Sequence, residues 1–158
     1  MAFHMEPLTD ADKDDFMRIH YAAFEPVFQV FYHKKPSPES FEIMAKERSK
    51  VLLSPATRAF KAVESKTGNM VAGIVWKRYP EGISKEEILS DLKSEASYAP
   101  EQNVESWSAA RAHFAQLRIE IVGTRPLLYL AGLVVDPEYH RKGIGKLLVN
   151  WGVEEADK

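Results

Sequence analysis

The sequence predicts an α/β or α+β domain in which helices pack against a mixed sheet. The first observation is the order of the periodic segments, which is strand, helices, strand, strand, helices, strand and helix. The second is a hairpin pattern, in which two strand-like runs are joined by a turn at residues 66–69. The third is the apolar run Leu127–Val135, which precedes a glycine-containing turn and an amphipathic helix pattern.

Length and composition are those of one globular domain. A chain of 158 residues buries roughly 70% of the surface that it exposes when unfolded. The formal net charge of −2 does not favour a broad basic surface, so we expect no nucleic-acid partner. The chain has no cysteine, which excludes disulfides, thiolate metal sites and a cysteine nucleophile, and we expect no metal.

No targeting or membrane signal is evident in the sequence. The start, MAFHMEPLTDADKDD, lacks the apolar core flanked by cations and small residues that a signal peptide has. The longest apolar run, Leu127–Val135, is far shorter than the ~20 residues of a membrane-spanning helix. We therefore expect an intracellular, cytoplasmic protein without a membrane partner.

Two helices are predicted in the first third of the chain. Residues 3–8 alternate weakly and predict a strand, after which Thr9 or Asp10 can cap a helix. The apolar residues at helical spacing in that helix are Phe16, Ile19, Ala23 and Phe24. The aromatic segment PVFQVFYHKKPSP, residues 26–38, predicts a loop or a short helix. A second helix opens at Pro38, and the residues along one of its faces are Phe41, Met44, Ala45, Arg48 and Leu52.

The remaining elements are a hairpin, two helices, a strand and a final helix. Residues 58–65 and 70–79 predict the two strands of the hairpin. Residues 84–95 and 103–123 predict two further helices. The apolar stripe that we expect to pack on the second of them comprises Trp107, Ala110, Phe114, Leu117 and Ile121. Leu127–Val135 lacks strict alternation, as expected of a strand that is covered on both faces, and a helix follows from about Gly143 to Ala156.

The segment HRKGIGK is the strongest functional signal in the sequence. The first turn of a helix has amides without partners and carries about half a positive charge. Gly143 and Gly145 have no Cβ that would keep a phosphate oxygen away from these amides, and Arg141, Lys142 and Lys146 add positive charge. We therefore expect a phosphate-containing ligand here, and the alternative is a tight strand-to-helix turn without a ligand.

Two familiar phosphate-binding motifs do not fit this turn. A Walker A loop requires an earlier glycine where this chain has His140, and a Ser or Thr where it has Leu147. A Rossmann fingerprint requires a third glycine where this chain has Leu148, and an acidic residue further on that binds ribose. Neither motif describes the segment.

The segment LAGLVVDPEYHRKGIGKLLVNWGVEEA resembles the coenzyme A loop of the GNAT acyltransferase superfamily. It contains a strand ending in Leu-x-Val, a proline, the Gln/Arg-x-x-Gly-x-Gly/Ala box at residues 140–145 and an apolar helix. His140 departs from the Gln or Arg that the family prefers. Residues 3–24 resemble the first strand and helix of the family, and residues 59–78 resemble its second and third strands.

This resemblance implies an acetyl-CoA-dependent N-acetyltransferase of GNAT fold, with a mixed, mostly antiparallel sheet flanked by helices. The amine acceptor would be a small molecule or a peptide. The pantetheine arm would pair with one strand, whose N–H would polarise the thioester carbonyl, and the diphosphate would lie on the amides of residues 141–146. The coenzyme-binding residues so implied are Leu133, Val134, Val135, His140, Arg141, Lys142, Gly143, Ile144, Gly145 and Lys146.

The resemblance also implies direct attack of the amine on the thioester. An ammonium has no lone pair, so a general base must first remove a proton. The sequence does not identify this base, and the candidates by position are Glu120, His113 and Tyr129, each with a structural explanation as well. By the same resemblance, Tyr32 and its aromatic neighbours either border the acceptor site or pack in the core, and part of residues 103–123 caps the acceptor pocket.

The family fold continues past the final helix with further strands. We therefore expect one domain over residues 1–158 that lacks its C-terminal strands and matches about the first two-thirds of a GNAT domain. A shortened chain or a strand supplied by a partner would explain this, and an open sheet edge would favour a homodimer. A second hypothesis is a non-catalytic acyl-CoA-binding or sensor module. A third is a generic nucleotide site, at which ATP would compete as well as coenzyme A does.

Overall fold

The computed structural model describes residues 2–93 and 98–157 of the chain. The described residues form four strands, which are β1 (Phe3–Pro7), β2 (Thr57–Glu64), β3 (Met70–Tyr79) and β4 (Leu127–Val135). They also form five α-helices, which are α1 (Lys13–Phe31), α2 (Pro38–Leu52), α3 (Lys85–Lys93), α4 (Val104–Ile121) and α5 (Ile144–Ala156). None of these helices is long and apolar enough to cross a membrane.

The strands form one sheet in the order β1-β2-β3-β4. Every neighbouring pair in the described part of the chain is antiparallel, which confirms the predicted hairpin and the mostly antiparallel sheet. Within the described residues β4 lies at one edge, and Leu130 is 38% exposed there. The expectation that this strand is covered on both faces is confirmed for its second half, where Val134 packs in one apolar layer and Leu133 and Val135 pack against the other.

Alternate residues of the sheet face two separate apolar layers. On one face Phe16 and Ile19 of α1 pack with Val75 and Val134, and α2 completes this layer. On the other face, residues of α5 pack against β2 and β3, and the buried members are Ala62, Val71, Ala72, Ile74, Trp76, Ile144 and Leu148. The sheet thus separates α1 and α2 from α5, and α5 is anchored by a fully buried Leu148.

Helix α1 is longer than the sequence predicts, because it continues through Pro26 to Phe31. A proline inside a helix removes one backbone hydrogen bond and costs about 3 kcal/mol. The ring of Phe28 packs at 4.6 Å from that of Tyr21 and at 4.8 Å from that of Tyr32. These ring contacts favour the helix despite that cost. Of the two alternatives predicted for residues 26–38, a helix forms as far as Phe31, as a continuation of α1.

Helix α2 begins as predicted, with Ser37 as its cap and Pro38 in its first turn. The side chain of Ser37 accepts a hydrogen bond from the backbone N–H of Ser40 at 3.3 Å. The hydroxyl of Ser40 in turn donates to Glu101, and both side chains are buried. This pair fastens the segment before α4 to the start of α2.

Helix α4 packs only part of the stripe that the sequence predicts, because Trp107 contacts the ring of Phe31 at 4.7 Å but two residues in the second half of the stripe face solvent. Phe114 and Ile121 are 63% and 68% exposed, so the predicted packing is wrong for them. The packed face lies one or two residues away, where Ala115 and Ile119 join a cluster with Ile88 of α3. A period of 3.6 residues does not distinguish these neighbouring faces when both carry apolar side chains.

Candidate active site

The turn between β4 and α5 is held by side chains that bond back to its own backbone. The carboxylate of Asp136 accepts from the N–H of Glu138 at 3.1 Å. The ring Nε2 of His140 donates to the carbonyl of Val135 at 2.9 Å. His140, which replaces the expected Gln or Arg, therefore closes the turn onto the end of β4.

Two residues of this turn have left-handed backbone conformations. Arg141 has a φ of 61°, which is uncommon for a residue other than glycine, and Gly143 has a φ of 81°. Gly143 is the N-cap of α5, and a glycine has no side chain with which to cap the first-turn amides. Turns of this kind present successive N–H groups to one side and form anion-binding concavities.

A groove of about 430 Å³ lies over this turn and reaches α1. Its lining includes Phe24 of α1, Leu133 and Val135 of β4, and both Gly143 and Gly145. A Cβ on Gly143 would meet nothing within 4 Å, and one on Gly145 would meet only a Leu133 methyl group at 4.0 Å. The protein itself thus leaves open the space over the first-turn amides. We call this groove the loop groove.

The structure brings together most of the residues predicted to bind the coenzyme. Seven of them line the loop groove, namely Leu133, Val135, His140, Arg141, Gly143, Ile144 and Gly145. Val134 is buried against α1 on the opposite face of β4, so it offers the groove only its backbone. The side chain of Lys142 contacts the residues that precede it in the turn. Its Nζ lies 4.4 Å from the centre of the Tyr139 ring and donates to the carbonyl of Glu138 at 2.9 Å. Lys146 is exposed on the first turn of α5.

Strand β4 carries a bulge just before the predicted coenzyme-binding residues. Val75 of β3 pairs with Gly132, whereas the next residue, Trp76, pairs with Leu130. Ala131 is therefore the extra residue of β4. Bulges redirect the strand and occur next to active sites. A lone glycine within a strand pattern is the sequence signal for such a bulge, and the sequence analysis missed it.

The three candidates for the general base lie on α4 and on the first half of β4. His113 and Glu120 are exposed on α4, and Glu120 accepts a hydrogen bond from the side chain of Gln116 at 2.6 Å. The ring of Tyr129 packs on the guanidinium of Arg118, with its centroid 4.6 Å from Cζ. None of these contacts decides a catalytic role, and the three assignments stay predictions.

A second cavity, of about 250 Å³, lies between α1, α2 and the start of α4, and we call it the helix cavity. Its lining comes from four separate segments and comprises Met17, His20, Tyr32, Met44, Glu47, Arg48, Val51, Tyr98, Gln102, Trp107 and Arg111. The sequence predicts Tyr32 either at the border of an acceptor pocket or in the core, and part of residues 103–123 as a cap over that pocket. It does not place the charged residues there, because only the fold brings these segments together.

The two cavities are neighbours along α1. His20 lines the helix cavity, and its ring packs at 4.9 Å from that of Phe24, which lines the loop groove. Burial, with a smaller contribution from the charge of Arg48, lowers the pKa of His20 to about 4. Burial also lowers the pKa of Arg48 to about 10. Near neutral pH the cavity therefore holds a neutral imidazole beside a positive guanidinium.

The family model for the acetyltransferase (GNAT) family matches residues 14–158. The chain belongs to this family. Both the predicted fold and the predicted enzyme class are thereby confirmed, and the protein is an N-acetyltransferase. A search among curated proteins found no match.

Solved structures with the same fold come from distant proteins. A polyamine N-acetyltransferase from Drosophila melanogaster has a TM-score of 0.67 at 14% identity, and the match covers 99% of this chain and 71% of that one. A mosquito arylalkylamine N-acetyltransferase-like protein has a TM-score of 0.63 at 11% identity, with coverage of 99% and 71%. A histone acetyltransferase and related acetyltransferase from Corynebacterium glutamicum has a TM-score of 0.57 at 19% identity, with coverage of 99% and 72%. At these identities the likeness concerns the fold.

Proposed function

We propose that the protein transfers the acetyl group of acetyl-CoA to a primary amine and binds the coenzyme in the loop groove. The observation that carries the proposal is the open space over Gly143 and Gly145 at the start of α5. Helix N-termini bind phosphates through free amides and the positive end of the helix dipole. Arg141 lines the same groove and adds a positive charge.

Strand β4 suits the amide-bearing arm of the coenzyme. It lies at the edge of the sheet in the described part of the chain, and an edge strand has backbone groups without partners. An extended amide chain can pair with such an edge as an added strand. Leu133 and Val135 line the groove on this strand, so they are the residues from which we expect that pairing.

When bound, acetyl-CoA supplies an activated acyl group at the bulged part of β4. The chain's own contribution there is a backbone N–H that donates to the carbonyl oxygen on which negative charge develops. The apolar side chains Phe24 and Leu133 line the groove beside this strand. The acceptor must arrive as a free amine, so a base has to take its proton before the attack.

A thiol-release assay with acetyl-CoA and a panel of amines tests this proposal. The panel should include polyamines and arylalkylamines, because two structural neighbours carry those names. Release of coenzyme A that depends on an amine supports the proposal. Coenzyme binding without turnover of any amine would favour the sensor hypothesis instead.

The identity of the bound coenzyme has a separate test. Coenzyme A at 100 times its dissociation constant should add about 2.7 kcal/mol to the free energy of unfolding. ATP at the same concentration should add much less, because it lacks the pantetheine arm that would pair with β4. Equal stabilisation by both ligands would indicate a generic nucleotide site.

A further inference from the structure

The helix cavity contains hydrogen-bond donors that the protein does not use. In the part of the chain that the structure describes, the Nε of Arg48 and the Nε1 of Trp107 are buried and have no hydrogen-bond partner. Both residues line the cavity. A buried donor without an acceptor costs about 1–3 kcal/mol, so a bound ligand that supplies an acceptor oxygen recovers this cost.

The charges that line the cavity favour an anionic group. Arg48 contributes a guanidinium group to the lining, whereas the guanidinium of Arg111 is already engaged and donates to the hydroxyl of Tyr98 at 3.3 Å. The one carboxylate among the lining residues, Glu47, pairs with Lys50 at 2.6 Å. Arg48 has no ion pair with any described residue, and its guanidinium packs at 4.6 Å from the centre of the Phe16 ring.

The rest of the lining is apolar or aromatic except for Gln102, whose side chain accepts from the N–H of Ala99 and donates to the hydroxyl of Tyr32. Met17, Met44 and Val51 contribute aliphatic surface, and Tyr32 and Trp107 contribute aromatic surface. A small set of convergent polar groups in a mostly apolar cavity is typical of sites for small molecules. The cavity therefore suits a compact ligand with an apolar body and one anionic end.

We propose that the helix cavity is the acceptor site and that it selects amines that also carry a carboxylate, which the guanidinium of Arg48 binds. This inference rests on the proposed function, because it assigns the substrate class of the same enzyme. A guanidinium matches a carboxylate with two parallel hydrogen bonds, which a lysine ammonium does not provide. The Nε1 of Trp107 is the second donor to the anionic end.

The arrangement also excludes a class of acceptors. A polyamine would bring further positive charge beside Arg48, and like charges in a partly buried site repel strongly. The end of the helix cavity at His20 is the one next to the loop groove, because the His20 ring contacts Phe24 of that groove, and we place the amine end there. Acceptors with a carboxylate at one end and a free amine at the other thus fit both ends.

Matched pairs of ligands test the proposal by isothermal titration calorimetry on the whole chain. The pairs are phenylalanine with phenethylamine, tryptophan with tryptamine, and leucine with isoamylamine, which differ only in the carboxylate. At least one acid should bind about tenfold more tightly than its amine, because charge-assisted pairing with a desolvated guanidinium is strong. Spermidine should bind more weakly than any of the acids.

Variants identify the residue responsible. Arg48→Met should abolish the preference for the acid, and Lys46→Met is the matched control, since it removes a positive charge from the exposed side of the same helix. Trp107→Phe keeps a ring and removes the Nε1 donor, so it should weaken binding of the acid by about threefold and provides a second test if Arg48→Met does not fold.

Outcomes for the two proposals are separable. Binding of coenzyme A should be unchanged in Arg48→Met, since Arg48 does not line the loop groove. If no acid binds better than its amine, or if Arg48→Met retains the preference, the acceptor inference is overturned even when acetyl transfer is observed. If the unaltered protein does not bind coenzyme A, the proposed function is overturned instead.

Discussion

The loop groove and the helix cavity, for each of which we propose an anionic ligand, are built from different parts of the chain. In the loop groove, consecutive residues present backbone amides at the start of α5, and Gly143 and Gly145 leave the space over them open. In the helix cavity, side chains from α1, α2, α4 and the segment before α4 converge, and their donors are buried.

This difference has an energetic consequence. Backbone amides at a helix end are exposed to water when no ligand is present, so an open loop groove costs the fold little. A guanidinium and a neutral imidazole in a cavity lose hydration that the protein only partly replaces. We therefore expect substitutions and pH changes at the helix cavity to act on stability, and substitutions at the loop groove to act on binding.

The largest expected effect is the loss of stability when His20 is protonated. Its pKa in the folded state is about 4, against an ordinary value of 6.5, so the unfolded state binds more protons between these values. The stability associated with neutral His20 is complete above pH 6.5 and is lost as the pH falls towards 4. At about 1.4 kcal/mol per pKa unit, the loss approaches about 3 kcal/mol.

Urea denaturation between pH 4 and pH 7 measures this effect. His20→Gln should flatten the dependence of the unfolding free energy on pH relative to the unaltered protein, whereas His33→Gln, which changes an exposed histidine, should not. Identical pH profiles for the unaltered protein and His20→Gln would contradict the burial of a neutral imidazole.

The next effect distinguishes packing from binding on α5. A Cβ on Gly152 would overlap the ring of buried Trp76, so Gly152→Ala has to move α5 away from the sheet or displace that ring. Overpacking of this kind costs about 1–3 kcal/mol. Equilibrium denaturation should show the loss, and coenzyme A should still bind to the folded fraction. If Gly152→Ala has the same denaturation midpoint as the unaltered protein, α5 does not lie against Trp76 as closely as the structure shows.

The same substitution at the other end of the helix should have the opposite outcome. In Gly145→Ala the new Cβ meets only a Leu133 methyl group at 4.0 Å, so the melting temperature should not fall. That Cβ occupies the space through which a phosphate oxygen approaches the amides, and we expect coenzyme A to bind about tenfold more weakly. Equal affinity in Gly145→Ala and the unaltered protein would place the diphosphate elsewhere.

The smallest effects are expected at the exposed candidates for the base. His113 and Glu120 both lie on the solvent side of α4. His113→Ala and Glu120→Gln should each change the free energy of unfolding by no more than about 0.5 kcal/mol, as most surface substitutions do. We expect kcat/KM to change by no more than about twofold. A steady-state assay with any accepted amine checks this. A hundredfold fall in kcat for either variant would contradict the expectation and identify that residue as the candidate for the general base.

The loop groove could be predicted from sequence because its determinants are local. The box HRKGIGK, the apolar strand before it and the helix after it are contiguous, and their conformations follow from glycine and helix-end chemistry. The hairpin and the cap at Ser37 were predictable for the same reason. Each of these features depends on residues within one or two turns of each other.

The helix cavity could not be predicted in this way. Arg48 and Trp107 are far apart in the sequence, and the fold brings them to one cavity. Helix α1, which continues through Pro26, and the hydrogen bond between Ser40 and Glu101 both belong to that tertiary arrangement. Helical periodicity also placed Phe114 and Ile121 of α4 among the packed residues, although both are exposed, since apolar residues lie on more than one side of this helix. Tertiary packing decided these points.

The measurement that tests the central claim most directly is a crystal structure of the chain with coenzyme A. We expect the diphosphate within hydrogen-bonding distance of the amides of residues 141–146, with the pantetheine arm beside Leu133 and Val135. Diphosphate density in any other part of the molecule, with the loop groove empty, would contradict the account.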